Sequence, residues 1–261
     1  MTFFHAIILG IVEGITEFLP ISSTGHLILT SKILQLPSTE FLKSFEIAIQ
    51  LGAILAVVVL YWRSFFVKFE ILKKIIVAFL PTAVLGLIFY KIVKQFLLGS
   101  ESVVLWALAL GGVFLIVFEL LHREKENAVE DVEKITWRQA LLIGVFQSVA
   151  IIPGVSRAAA TIVGGLLLGL KRKTIVEFSF LLAVPTMAAA TGLDLLKSGS
   201  SFNANQFGLL ALGFVFSFIT ALAAIKFFLN FIKNHSFISF GVYRIILALG
   251  WWGATLFILR F

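Results

Sequence analysis

The stretch Glu13-Gly14-Ile15-Thr16-Glu17-Phe18-Leu19-Pro20-Ile21-Ser22-Ser23-Thr24-Gly25-His26 decides how this chain folds. It sets two carboxylates, a proline, a Ser-Ser-Thr run, a glycine and a histidine inside an otherwise apolar segment. Ionisable side chains are costly to hold in a membrane segment, and by default they mark a functional site. A shorter relative of the stretch occurs later as Pro153-Gly154-Val155-Ser156-Arg157. The first offers acids, hydroxyls and a histidine, the second an arginine. Together they are the parts of a phosphate-handling site.

The surrounding composition explains why these residues stand out. Sixty per cent of the 261 residues are hydrophobic and only 13% are charged, with a mean hydropathy of +1.06. A soluble domain carries roughly 25% charged residues. The chain therefore reads as an all-α, polytopic integral membrane protein, because lipid leaves open backbone groups unsatisfied. A removable signal peptide is not expected at the N-terminus, which lacks a basic leader and holds Glu13 and Glu17 in its apolar run. Cysteine is absent, which excludes disulfides, thiolate chemistry and Cys-based metal sites. The net charge of +7 fits membrane orientation, and no nucleic-acid partner is expected.

Apolar segments fall at about 3–19, 22–35, 43–62, 74–95 and 102–121, then at about 137–152, 155–170, 174–197, 205–232 and 238–260. Between them lies the hydrophilic linker 122–136. Each half, 1–121 and 137–261, has two short proline-interrupted segments followed by three long enough to cross a bilayer, which takes about 20 residues. The short pairs (about 3–35 and 137–170) read as re-entrant helical hairpins. Ala6-Ile7-Ile8-Leu9-Gly10-Ile11-Val12-Glu13 resembles Ala140-Leu141-Leu142-Ile143-Gly144-Val145-Phe146-Gln147. A one-residue gap then aligns Pro20 with Pro153 and Ser23 with Ser156. Three crossings per half give the halves opposite orientation, and such inverted repeats place a site at their interface near the midplane. The alternative is chance similarity between apolar segments.

Basic residues set the orientation. Those on the linker's side include Arg63, Lys68, Lys74, Arg138, Lys171 and Arg244; the opposite side holds only Lys32, Lys43, Lys91, Lys94, Lys197 and Arg260. The positive-inside tendency makes the linker side cytoplasmic. Both termini then face outward, and the first hairpin enters from the outer, periplasmic side.

Glu13 and Glu17 are four apart and share a helix face. Two close carboxylates raise each other's pKa unless a cation or shared proton resolves the conflict, which makes them candidate metal ligands or proton-transfer groups. Pro20 ends the first half-helix, and Ser22 or Ser23 is a natural N-cap for the next. The amides of Ser23 and Thr24, with the helix dipole, suit a phosphate, and Gly25 would let an anion approach closely. His26, one turn after Ser23, could accept the serine proton. The alternative is plain N-capping, favoured for Ser22, beside a packed core histidine. Arg157 needs an anionic partner, either a glutamate or a phosphate, which it can bind with two parallel hydrogen bonds. Ser156 beside it, and Gln50 one turn from Glu46, are further candidate substrate contacts. His5, His122 and His235 sit near segment ends and read as interfacial. Trp251 and Trp252 fit an interfacial belt, and the 28 phenylalanines a lipid- or prenyl-facing surface.

Four runs carry a resemblance: EGITEFLPISSTGHL (Glu13 to Leu27), FEIAIQLGAILAVV (Phe45 to Val58), PGVSRAAATI (Pro153 to Ile162) and EFSFLLAVP (Glu177 to Pro185). They resemble the bacterial undecaprenyl pyrophosphate phosphatase, or bacitracin-resistance, family over essentially the whole chain. The resemblance implies removal of the terminal phosphate from a prenyl pyrophosphate lipid, the carrier of cell-wall synthesis, and bacitracin resistance. It also implies dependence on a divalent cation, Mg or Ca. Family roles fall on Glu13, Glu17, Ser23, His26 and Arg157. The family's Ser-Arg-Ser is here Ser156-Arg157-Ala158, so the third hydroxyl's role is missing. A secondary transporter or lipid flippase on the same inverted-repeat plan is the alternative function. The oligomeric state is open, with a homodimer as one option.

Overall fold

A computed structural model describes residues 1–92, 100–198 and 204–258. Lys94 and Arg260, used above for orientation, lie outside them. The described chain is helical, with one isolated β-bridge, Val129 to Leu170. The first half comprises α1 (Phe3–Thr16), α2 (Ser23–Ile33), α3 (Glu40–Ala48), α4 (Gln50–Leu60), the short α5 (Trp62–Phe66), α6 (Phe69–Ile92) and α7 (Glu101–Leu121). The second comprises α8 (Trp137–Ser148), α9 (Arg157–Leu167), α10 (Arg172–Ser198), α11 (Ala204–Phe231) and α12 (Ile238–Ile258). Among the described residues, five stretches are long and apolar enough to cross a membrane: Glu40–Leu60, Phe69–Phe89, Glu101–Leu121, Arg172–Asp194 and Asn205–Phe231. The protein is a multi-pass membrane protein.

The segment expected at 43–62 begins at Glu40, because the Thr39 hydroxyl caps the Leu42 amide and starts the helix in a polar turn that hydropathy does not mark. It is also split at Ile49 into α3 and α4. The linker is not a free tether. Val129 exchanges backbone hydrogen bonds with Gly169 and Lys171, both 2.9 Å, and Val132 and Ile135 are buried. Lys171 also pairs with Glu130 and holds that carboxyl below its usual pKa.

One constant shift relates local features of the two halves. Thr2 caps α1 in a box with His5, and Thr136 caps α8 in a box with Gln139. Ser22 (φ 71°) caps α2 and Ser156 (φ 76°) caps α9. Gln35 and Gly169 both take positive φ just past the ends of those helices. The same shift carries Gly10 onto Gly144. Backbone carbonyls stand where either would carry a Cβ, from Gly213 of α11 at Gly10 and from Ala78 of α6 at Gly144. So α1 packs on α11 and α8 on α6. The shift runs without a gap, which corrects the alignment proposed above. Ser156 matches Ser22, not Ser23, and Pro153 does not match Pro20. The position equivalent to Ser23 is Arg157.

Candidate active site

Two turns build the site. After Thr16 the chain leaves α1 with the Glu17 amide still donating to Glu13 O at 2.9 Å. It then passes through Phe18, buried edge-on against Phe180 at 5.2 Å, and Pro20. At Ser22 it turns into α2 through a positive φ that only glycine adopts freely, a strained cap of the kind found at functional sites. The Ser22 hydroxyl accepts from the Gly25 amide at 3.3 Å. The second turn repeats this, with Gly154 at φ 94° and the Ser156 hydroxyl accepting from the Ala159 amide at 3.2 Å. Both serines are therefore spent on capping, as expected for Ser22.

The cap places Ser23 and Arg157 at the first position of their helices, and Glu17 joins them. Ser23 Oγ donates to Glu17 Oε2 at 2.5 Å. Arg157 Nη2 donates to Glu17 Oε1 at 3.0 Å, with the two side chains 10% and 3% exposed. The other arm of the guanidinium, Nη1, is held by Ser179, whose carbonyl accepts at 2.8 Å and whose hydroxyl at 3.3 Å. The Ser179 hydroxyl is itself held 2.5 Å from Thr161. Both turns thus meet, with the Arg157 guanidinium on Glu17, one of the three groups it was expected to face, and Ser23 joined to it through that carboxylate.

Other expected residues stand differently. Glu13 is fully buried, and neither carboxylate oxygen has a protein partner. His26 does not reach Ser23: its Nδ1 lies 2.7 Å from the Ser22 carbonyl and its Nε2 2.7 Å from the Tyr243 hydroxyl. The expected Ser23–His26 pair is replaced by Ser23–Glu17, because the Ser22 carbonyl and the Tyr243 hydroxyl take both ring nitrogens and Glu17 takes the serine hydrogen. Gly25 does not open onto an anion. Its missing side chain makes room for Val104 and Leu108 of α7 at 3.3 and 3.4 Å.

A cavity of about 640 Å³ adjoins the turns, with Glu17, Ser23, Thr24, Gln50, Ser156 and Arg157 in its wall. Ser22 also lines it, while Glu13, Gly25 and His26 do not. It runs along α6 and α10 as far as Leu87 and Asp194 between mainly apolar side chains. Part of its polar wall is a network the sequence did not announce. Gln147, at the position equivalent to Glu13, donates to the Thr82 and Thr186 hydroxyls at 2.9 and 3.2 Å.

Arg244 is the largest omission. Counted above with the cytoplasmic basic residues, it is in fact fully buried at the level of the turns. All five of its N–H groups donate to carbonyls: Nε to Leu108, Nη1 to Pro20 and Val155, Nη2 to Ala107 and Gly154, at 2.8 to 3.3 Å. It fastens both turns to α7. The signal was present in the sequence, since a lone arginine inside an apolar span reads by default as functional.

A family model described as Bacitracin resistance protein BacA matches residues 6–250. The chain is 57% identical to a protein named undecaprenyl-diphosphatase from Aquifex aeolicus, over 95% of this chain and 97% of that one. It is 53% identical to the protein of the same name from Wolinella succinogenes, over 95% and 96%, and 51% identical to that from Campylobacter jejuni, over 93% and 91%.

Proposed function

The chain belongs to the bacitracin resistance protein family, and on that premise we propose that it hydrolyses undecaprenyl pyrophosphate to undecaprenyl phosphate and inorganic phosphate. One observation carries the reading: a hydroxyl, a carboxylate and a guanidinium are linked in series, Ser23–Glu17–Arg157, at the end of an apolar-walled cavity inside a membrane protein. A prenyl chain suits the apolar walls, and a diphosphate suits the polar end.

In the proposed reaction Ser23 Oγ attacks the terminal phosphorus and Glu17 takes the hydroxyl proton. The bond from that phosphorus to the bridging oxygen breaks, and the lipid phosphate leaves with the oxygen. Water then cleaves the seryl phosphate, releases inorganic phosphate and restores the hydroxyl. Arg157 shifts hydrogen bonds from Glu17 to the phosphoryl oxygens, where a planar fork suits the spreading charge. The amides of Ser23 and Thr24 in α2, and of Arg157 and Ala158 in α9, add two helix N-termini aimed at anions. Attack by water, with Glu17 as base, is the competing route.

The donor set fits a divalent cation. Glu13 keeps two buried oxygens without a protein partner, and such ions bind through one or two carboxylates completed by substrate phosphate and water. Glu13 and Glu17 would hold it, and when bound it supplies positive charge to the phosphate oxygens. The constant shift between halves supports a repeat; its inversion and the re-entrant hairpins rest on three crossings per half and on the short broken pairs, and the bacterial plasma membrane on the family. With the linker cytoplasmic, both termini lie outside, and the cavity opens on the periplasmic side.

The test is release of inorganic phosphate from farnesyl pyrophosphate by the purified protein in detergent. Turnover that requires Ser23 is expected. No release, together with movement of lipid across vesicles, would replace the reading with a transporter or flippase.

A further inference from the structure

His26 is one of the polar side chains that a serine chemistry tempts one to call a base, yet both its ring nitrogens are already engaged. The Ser22 carbonyl can only accept, so the Nδ1 that lies 2.7 Å from it carries the ring hydrogen. In a neutral imidazole Nε2 is then the acceptor, and the Tyr243 hydroxyl at 2.7 Å donates to it. The two rings are stacked, 5.5 Å between centroids and 5° from parallel. No lone pair of His26 remains for Ser23, whose hydrogen goes to Glu17.

What this chain of contacts holds is the cap. Ser22 has the strained positive φ, its carbonyl is the one that His26 grips, and the residue after it is Ser23. Tyr243 stands next to Arg244 on α12, and Arg244 grips the Pro20 carbonyl two residues before Ser22. One turn of α12 thus fixes the first hairpin at two points, Pro20 directly and Ser22 through His26.

We propose that Tyr243 is a positioning residue of the active site, locking His26 in the Nδ1–H tautomer so that His26 braces the Ser22 carbonyl and aims Ser23, rather than exchanging protons with the substrate. The proposal rests on Ser23 carrying the reaction. Its spectroscopic arm does not, so the two can fail separately.

Histidine-labelled (15N) full-length protein in micelles, near pH 8, should show the His26 signals of an Nδ1-protonated ring with Nε2 accepting a hydrogen bond. The signals are assigned by their loss in His26→Gln; only three other histidines are present. Tyr243→Phe keeps the stacking ring but removes the donor. It should shift the His26 Nε2 resonance and lower kcat about three- to tenfold, the size of one hydrogen bond, with KM unchanged. His26→Gln, which can still donate to Ser22 and accept from Tyr243, should retain on the order of a tenth of wild-type kcat, whereas His26→Leu should lose on the order of a hundredfold. The proposal is overturned if the wild-type ring carries its hydrogen on Nε2, a result that needs no variant to fold. It is equally overturned if Tyr243→Phe leaves both spectrum and kcat unchanged, or if His26→Gln is as inactive as Ser23→Ala.

Discussion

Replacing Arg244 with lysine keeps a buried cation but not its fork, and the structure sets the size of the effect. Arginine spends five N–H groups on five carbonyls. Lysine offers three donors from one point, so at least two carbonyls lose theirs. Ala107 and Leu108 lie within α7 and keep helical bonds, whereas Pro20, Gly154 and Val155 belong to the turns. The fork serves the turn carbonyls from two nitrogens, Nη1 for Pro20 and Val155 and Nη2 for Gly154, so a single ammonium leaves at least one of them unpaired, and Arg244→Lys should lose about 1–3 kcal/mol of stability. Reversible unfolding in mixed micelles, titrated with SDS, measures that loss. Because the same carbonyls hold the two turns together, kcat for phosphate release should also fall more than about tenfold. An unfolding free energy within about 0.5 kcal/mol of wild type, together with normal kcat, would refute the claim that Arg244 ties the turns.

Ser23→Ala should remove nearly all turnover while the helix stays capped, since Ser22 and not Ser23 caps α2, with a stability loss of about 1–3 kcal/mol for the Glu17 oxygen left without its donor; near-normal phosphate release would favour direct attack by water. Arg157→Lys retains charge but cannot hold Ser179, Glu17 and a phosphate oxygen together, so kcat should fall on the order of a hundredfold with a smaller rise in KM. A rise in KM alone would make Arg157 a ground-state contact. Glu13→Gln should flatten the divalent-cation titration of activity as well as lower the rate, because it removes the charge from the carboxyl whose oxygens have no protein partner; an unaltered titration would remove Glu13 as a ligand.

Helical class, the broken pairs and the grouping of Glu17, Ser23 and Arg157 at one place are readable from the chain, because each rests on a local signal. Apolar length sets the spans, proline and serine set the breaks, and an isolated charge marks a site. What could not be read were contacts set by direction. Spacing places His26 one turn from Ser23, but only the fold shows that the imidazole faces Ser22 and Tyr243. Gly25 is the same case: a glycine after a cap reads as room for an anion, and here it is room for α7. Arg244 was misread for another reason. Position relative to the membrane was inferred from charge itself, so a buried arginine was counted with the surface ones.

The register between the halves bears on how the site arose. Aligning the conspicuous prolines makes Ser23 the counterpart of Ser156, and the halves then look like two copies of one serine motif. The caps show otherwise. Ser22 and Ser156 have the same φ and the same bond to the third amide of their helices, so the residues that differ stand just after them. A single position, the first of α2 and of α9, holds a serine in one half and an arginine in the other. Ten residues earlier, in α1 and α8, the same shift sets Glu13 against Gln147, an acid against an amide. The two matching turns bring two helix N-termini together, an arrangement suited to an anion. Catalysis needs the two ends to be chemically different, and substitutions at equivalent positions supply that difference without disturbing the caps that aim them.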